Sequence, residues 1–337
     1  MRASSSTSSR RSFLAASAGL AVPGLAFRPF GGEGDSSSSA DSKVGSRSGS
    51  ECSLASEVAH RGPKVRKKAV KLGMVQGDAS LRDKLQLLRD LGFDGVEPAA
   101  PGGWDAEELN EAAAAAGIEV HGLVGSKHWQ LPLSSPDEKV RSEGREAFES
   151  AIRLAPSVGA STVLLVPAVV NGSVSYQSAW ERSIQEIRKI LPVCRESGIQ
   201  IALENVWNNF LLSPLEAALY VDTLNDGVEL EDGRPPVGFY FDAGNLVRYG
   251  WPLHWVEALG SRILKVDVKD YSRDKQMNSG PWSGFGVGIG EGNTGWPEVV
   301  AALDAIGYDG WYTAEVQGGD EARLRQIAER MDAFLKD

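Results

Sequence analysis

The sequence predicts an α/β fold of one kind, a closed (β/α)8 TIM barrel that starts near Lys67 and runs to the C-terminus. Two observations predict it. Eight short runs rich in apolar, β-branched or aromatic residues alternate with longer amphipathic segments, the pattern of parallel strands joined by crossover helices. Nothing in the chain reads as the phosphate-binding first turn of a doubly wound sheet, because the glycine-rich stretch Gly284 to Gly292 alternates strictly and matches G-x-G-x-x-G nowhere after a strand.

The predicted strands are Leu72–Gln76, Gly95–Pro98, Glu119–Val124, Thr162–Pro167, Gln200–Asn205, Val237–Asp242, Ile263–Val268 and Trp311–Val316. Between them the 3.6-residue periodicity predicts helices over Leu81–Leu91, Ala106–Ala116, Asp137–Leu154, Ala179–Glu196, Pro214–Leu224, Trp296–Ile306 and Glu321–Leu335. Gly92, Gly117, Gly159, Gly198 and Gly307 stand where helices should stop. The sixth connection has the weakest helix, around Pro252–Leu259, barely two turns long. The glycine-rich stretch is expected to be a mobile loop over the mouth after the seventh strand.

The N-terminus carries a different message. Ser9-Arg10-Arg11-Ser12-Phe13-Leu14 precedes an Ala-rich apolar run to about Phe27, with Gly24-Leu25-Ala26 as a small-residue cleavage site. That run is too short and too rich in Ala and Gly for a stable membrane span, so residues 1–27 are expected to be a twin-arginine signal peptide read by that export machinery. Residues 28–66 lack apolar periodicity and are expected to be a disordered Ser/Gly-rich linker, leaving 67–337 for the barrel. The mature protein is expected to be exported, periplasmic or otherwise outside the cytoplasm.

A net charge of −10 repels a phosphate backbone and an anionic membrane, which excludes nucleic acid as a partner. Two cysteines, Cys52 and Cys194, are too few for a disulfide framework or a thiolate metal site.

Chemistry in such a barrel sits at the C-terminal ends of strands, so an ionisable residue that closes an apolar strand is informative. Four strands have one: Glu204 after Ile201-Ala202-Leu203, Asp242 after Phe239-Tyr240-Phe241, Asp267 after Leu264-Lys265-Val266, and Glu315 after Tyr312-Thr313-Ala314. Any one alone reads equally well as a paired surface acid. Four carboxylates converging on one mouth repel each other unless neutralised, and a divalent cation would do so. The same residue types suit proton movement on a carbon beside a carbonyl, which needs a Lewis acid and a carboxylate on one or both faces.

At these residues the sequence resembles a known family. Ala202-Leu203-Glu204-Asn205, Phe241-Asp242-Ala243-Gly244-Asn245, Val266-Asp267-Val268-Lys269-Asp270, Gly290-Glu291-Gly292 and Ala314-Glu315 look like the ordered motifs of the xylose-isomerase-like sugar phosphate isomerase/epimerase family. Within it they are most similar to ketose 3-epimerases and the hexulose-6-phosphate isomerase type. The resemblance implies a metal held from four strands, with Glu204, Asp242 and Glu315 in three of those places and Glu204 and Glu315 doubling as acid and base. The fourth place departs from the pattern, since Asp267 stands where the family commonly has histidine. Either metal binding is lost there, or an all-oxygen set favours Mn²⁺ or Mg²⁺ over Zn²⁺.

Around that set, Lys269 shares a strand face with Asp267, and Asn245, His128 beside Trp129, Glu97 and Trp207 are candidate sugar contacts, with Asn208 and Trp282 as further pocket-shaping residues. His121 lies within a strand and reads as a core histidine; His60 and His254 receive no role. The expected activity is a metal-dependent isomerase or epimerase acting on a ketose or keto-sugar through an enediolate. A lyase or dehydratase on an oxidised sugar or inositol, and a metal-free sugar-binding protein, are the competing readings. Export favours a free or oxidised sugar over a phosphate ester, and oligomeric state stays open.

Overall fold

The computed structural model describes residues 66–336. The expected signal peptide, the expected linker up to residue 65, Cys52 and His60 lie outside the described residues. Ten parallel strands form one sheet that closes on itself: β1 Lys67–Lys71, β2 Gly95–Glu97, β3 Ala99–Ala100, β4 Glu119–Val120, β5 Leu123–Gly125, β6 Thr162–Leu165, β7 Gln200–Glu204, β8 Val237–Asp242, β9 Ile263–Val268 and β10 Trp311–Ala314. They make eight staves, because β2 and β3 are one strand interrupted at Pro98, and β4 and β5 one strand interrupted at His121-Gly122. Accordingly β2 pairs with β4, and β3 with β5. The barrel closes where Lys67 to Val70 of β1 lie opposite Trp311 to Ala314 of β10.

The first strand corrects the sequence reading. Leu72–Gln76 is not the strand: Leu72–Met74 form a 3-10 turn, Val75 makes an isolated bridge to Gly319, and the strand is Lys67–Lys71. Three lysines in five residues disguise it, and each has its own counter-charge. Lys67 pairs with Glu119, Lys68 with Asp332 on the outer helix Glu321–Leu335, and Lys71 with Glu97 and Asp267 inside the barrel. Just before the strand, Arg66 holds Asp304 at 2.7 Å, so the last residue assigned to the tether is fastened to the barrel.

Helices fall close to their expected places, including the short Pro252–Leu259. All five glycines expected at helix ends have φ between +66° and +82°, a left-handed conformation that costs glycine little. Among the described residues no helix is long and apolar enough to cross a membrane.

Alternation along the strands divides the interior in two. Outward side chains such as Val70, Val96, Leu203, Phe239, Phe241, Val266 and Val268 join Leu88, Ile152, Ile187, Trp255 and Leu303 of the helices in the main hydrophobic core. Inward positions hold only a small apolar cluster, Leu164, Ala202 and Tyr240, alongside the buried polar residues Glu97, His121, Thr162, Lys265, Asp267 and Thr313. The barrel lumen is thus unusually polar and each of its charges needs a partner.

On the outer layer, helices Glu138–Leu154 and Tyr176–Ser197 are joined by Glu186, whose carboxylate meets Arg145 at 2.6 Å, Lys189 at 2.9 Å and Arg141 at 3.3 Å. Only 3% of its side chain is exposed. Glu186→Ala leaves three cations facing one another without their anion and should destabilise the fold by about 2–4 kcal/mol; a urea midpoint that falls at unchanged m-value is the expected result.

Candidate active site

Strand ends place the acids. In the ladders Asp242 of β8 stands beside Asp267 of β9, and Asp267 beside Thr313, two residues before Glu315. Glu204 closes β7, and Glu315 follows β10 with its N–H donated to the carbonyl of Val268. Because side chains two residues apart share a strand face, Ala202/Glu204, Tyr240/Asp242, Lys265/Asp267/Lys269 and Thr313/Glu315 all face the lumen. One oxygen from each of Glu204, Asp242, Asp267 and Glu315 lies within 4.8 Å of the others.

Asp242 is held most rigidly. Its Oδ1 accepts from the Asn245 N–H at 2.9 Å, its Oδ2 from the Asn245 amide at 2.6 Å, and its backbone N–H and C=O are clasped by the side chain of Asn205. The second amide hydrogen of Asn245 goes to the carbonyl of Asn205. Asn245, expected as a sugar contact, thus gives one amide hydrogen to the Asp242 carboxylate and the other to the backbone of Asn205.

Two lysines stand among the acids. Lys269 Nζ is 2.6 Å from Asp242 Oδ2 and also bonds Glu315. Lys71 Nζ is 2.5 Å from Glu97 Oε2 and 3.0 Å from Asp267 Oδ1, over the ring of Tyr240. Tyr240 in turn donates its hydroxyl hydrogen to Glu97 and has the Thr313 hydroxyl at 3.0 Å, and Thr313 meets His121 Nε2 at 3.2 Å. Sequence reading missed Lys71 through the misplaced first strand. With the strand at Lys67–Lys71, the same criterion of an ionisable residue closing a strand finds it.

Charges follow from this crowding. Burial, then the neighbouring Glu315 and Asp267, push the Glu204 carboxyl well up. Burial raises Asp242 to about 6, although Lys269 opposes it, and raises Asp267 against the pull of Lys71. Burial also acts on Glu315, but Lys269 and Lys71 outweigh it and hold the carboxyl down. For both lysines burial disfavours the charge; Asp267 and Glu97 around Lys71, and Asp242 and Glu315 around Lys269, override it and keep them protonated.

The donor set fits a hard divalent cation. All four candidate ligands are carboxylates, the oxygens already converge, and neither oxygen of buried Asp267 receives a hydrogen bond. Five carboxyl groups, with Glu97, face two ammonium groups, and a divalent cation would balance the charge gained when Glu204, Asp242 and Asp267 give up their protons.

Beyond the acids opens a cavity of about 800 Å³ lined by Asn245, Lys269, Glu315, Trp282, Phe285, Gln317 and Arg323 among others. A search of family models matches residues 85–337 to the one described as Xylose isomerase-like TIM barrel. The chain belongs to that family. Among its relatives, L-ribulose-5-phosphate 3-epimerase UlaE of Escherichia coli K12 is 26% identical over 247 residues, 69% of this chain and 81% of the relative. The Salmonella paratyphi C enzyme of the same name is 28% identical over 251 residues, with the same coverage of 69% and 81%. Among solved structures, D-psicose 3-epimerase from Clostridium cellulolyticum H10, crystallised with D-tagatose, superposes with a TM-score of 0.62 at 17% identity, covering 80% of this chain and 100% of that one. A xylose isomerase domain protein from Planctomyces limnophilus gives 0.64 at 19% identity, covering 82% and 98%.

Other expected contacts of this xylose isomerase-like barrel sort differently. Glu97, expected near a sugar, is 1% exposed and bonded by Lys71 and Tyr240. Trp207 donates to the Asn245 carbonyl and packs on Tyr271, Trp282 and Phe285. Asn208 ties its loop to the carbonyl of Ala168. His121 stacks on Trp311 at 4.5 Å, inside the lumen. Burial pushes the Cys194 thiol up to about 12. The glycine-rich stretch is fastened rather than loose: Asp270 accepts from Gly290 and Thr294, while Glu291 accepts from Gly288 and pairs with Arg330.

His128 receives a long hydrogen bond from the Val166 N–H at 3.4 Å, and burial, opposed by the Glu315 charge, lowers its pKa to about 4. The unfolded chain binds a proton near 6.5 that the folded chain refuses until about pH 4. This histidine therefore removes stability as pH falls through that window. His128→Gln should flatten the fall relative to the native protein, as read from urea unfolding at pH 7 and pH 4.5; parallel curves would show that the imidazole is already solvated.

Proposed function

We propose that this chain is a metal-dependent isomerase or epimerase that moves a proton on the carbon beside the carbonyl of a ketose or keto-sugar. The observation that carries the reading is the convergence of Glu204, Asp242, Asp267 and Glu315 within 4.8 Å at the barrel mouth. Those four residues would hold the ion, with Mn²⁺ or Mg²⁺ preferred over Zn²⁺ because every donor is a carboxylate oxygen. A divalent ion there supplies Lewis acidity to the carbonyl and the adjacent hydroxyl.

The remaining work falls to side chains. Glu204 and Glu315, at the ends of β7 and β10, face each other across the lumen, so one can remove a proton from one side of a carbon and the other can deliver one to the opposite side. Asn205 and Asn245 fix Asp242 in place. Lys269, between Asp242 and Glu315, stabilises negative charge as it develops on substrate oxygen. A lyase or dehydratase uses the same first step, and product analysis separates the two. The names of the UlaE relatives and of the ketose 3-epimerase structures support a sugar as substrate.

We further infer export by the twin-arginine route, which favours a free over a phosphorylated sugar. Replacing both Arg10 and Arg11 by Lys should abolish export; undiminished export would remove the inference.

Purified protein should carry about one divalent ion per chain, with Mn²⁺ restoring chelated protein better than Zn²⁺ and Asp267→His shifting preference towards Zn²⁺. Metal-free protein with activity indifferent to chelator would instead point to the two lysines as the neutralising charges. Turnover in D2O should place deuterium on a single carbon adjacent to the carbonyl. Glu204→Gln and Glu315→Gln should each lower turnover by roughly 10²-fold or more, with metal occupancy measured alongside; full turnover in both, metal retained, would remove the acid/base pair.

A further inference from the structure

We propose that the mouth of this barrel binds a neutral glycoside of two rings, one ring at the carboxylates and the second on an aromatic platform formed by Trp282. The inference rests on the proposed function only for which ring faces the acids.

The cavity begins at Asn245, Lys269 and Glu315 and widens to about 800 Å³. That is near the upper end of pockets that hold whole drug-sized ligands, about 300–1,000 Å³, and a single ketose is much smaller than such a ligand. The lining of the cavity includes Trp282, Phe285, Gly286, Val287 and Gly288 from the connection after β9, and Val316, Gln317 and Arg323 from the chain after β10.

Trp282 is 74% exposed, which forfeits the burial that an indole normally gains. It is nonetheless backed by other rings. Trp207 lies 4.7 Å from it centroid to centroid and 4.8 Å from Phe285, Tyr271 closes on Phe285 at 4.9 Å, and Arg248 covers Trp207 at 4.6 Å. Trp207 and Phe285 thus contact Trp282, while most of the indole stays exposed in the lining of the cavity. A pyranose has an apolar C–H face that suits an aromatic ring and a rim of hydroxyls that needs donors and acceptors. Gln317 and Arg323, in the same lining, supply those. Arg323 uses Nε on the carbonyl of Gln317 and Nη1 on Gln326, while Nη2 makes neither bond.

Electrostatics decide between a sugar ring and a phosphate. Of the acids, Glu315 and Asp270 line the cavity, and the lysine beside them, Lys269, is already paired with Asp242 and Glu315, so a phosphate dianion there meets two carboxylates with Arg323 to offset them. A neutral ring meets no such penalty.

The test is calorimetric binding with the intact protein. Glucose, the glucosyl disaccharides cellobiose and maltose, and ribulose 5-phosphate serve as probes. At least one disaccharide should bind about tenfold more tightly than glucose, and both Trp282→Ala and Arg323→Met should bring that ratio close to one while the thermal midpoint holds. Disaccharides no tighter than glucose, or a preference that survives Trp282→Ala, would overturn the proposal. So would ribulose 5-phosphate binding more tightly than every disaccharide and being displaced by inorganic phosphate, which would make the wall a phosphate site. Absence of deuterium exchange with the ratio intact would defeat the proton-transfer reading and leave this one standing.

Discussion

Lys71 Nζ lies between Glu97 and Asp267, and Lys269 Nζ between Asp242 and Glu315. Five acids at one end of a closed barrel repel each other at distances where the dielectric is low, and without counter-charge they would have to take up protons or push the strands apart. The two lysines remove part of that repulsion and do so from strand ends, where the barrel itself fixes them. The acid centre is therefore a property of the closed sheet, since β1 brings Lys71 to the acids of β9 only by closing on β10.

This pairing also bears on the substitution that separates the chain from the family pattern. An aspartate where histidine is usual adds a negative charge to a crowded site. Lys71, 3.0 Å from Oδ1, offsets it as an ion pair, while neither carboxylate oxygen receives a hydrogen bond. A buried carboxylate with no hydrogen-bond donor on either oxygen could help hold a hard cation. Further along, Tyr240, Thr313 and His121 continue the polar contacts through the lumen, so the position of Lys71 is tied to a column of buried hydrogen bonds rather than to a mobile surface chain.

The cavity and the centre are built from different parts of the chain. Rigid strand ends hold the carboxylates, whereas the outer walls come from the connection after β9 and the start of the last helix, Glu321–Leu335. Asp270, immediately after β9, receives hydrogen bonds from Gly290 and Thr294 and so anchors the glycine-rich connection to the strand that carries Asp267 and Lys269. Binding surface and reacting surface can thus vary independently, as loops on barrels allow.

Much was legible in the sequence. Eight apolar runs alternating with helices, and glycines at helix ends, are local signals, and they determined the barrel. The residues closing four strands named Glu204, Asp242, Asp267 and Glu315, because a charged residue ending an apolar run breaks a strong local pattern. Tertiary structure decided what distance in sequence conceals. Lys71 is 26 residues from Glu97 and far from Asp267 in the chain, and in a strand with three lysines nothing local marks it as inward-facing. Glu97 and Asn245 look like substrate contacts by position; ring closure surrounds one with Lys71 and Tyr240, and the turn after β8 places the other both against Asp242 and in the lining of the cavity. Sequence reports which groups are present at strand ends; only closure of the sheet decides which charges share a lumen, and Coulomb interaction at a few ångströms then fixes what each can do.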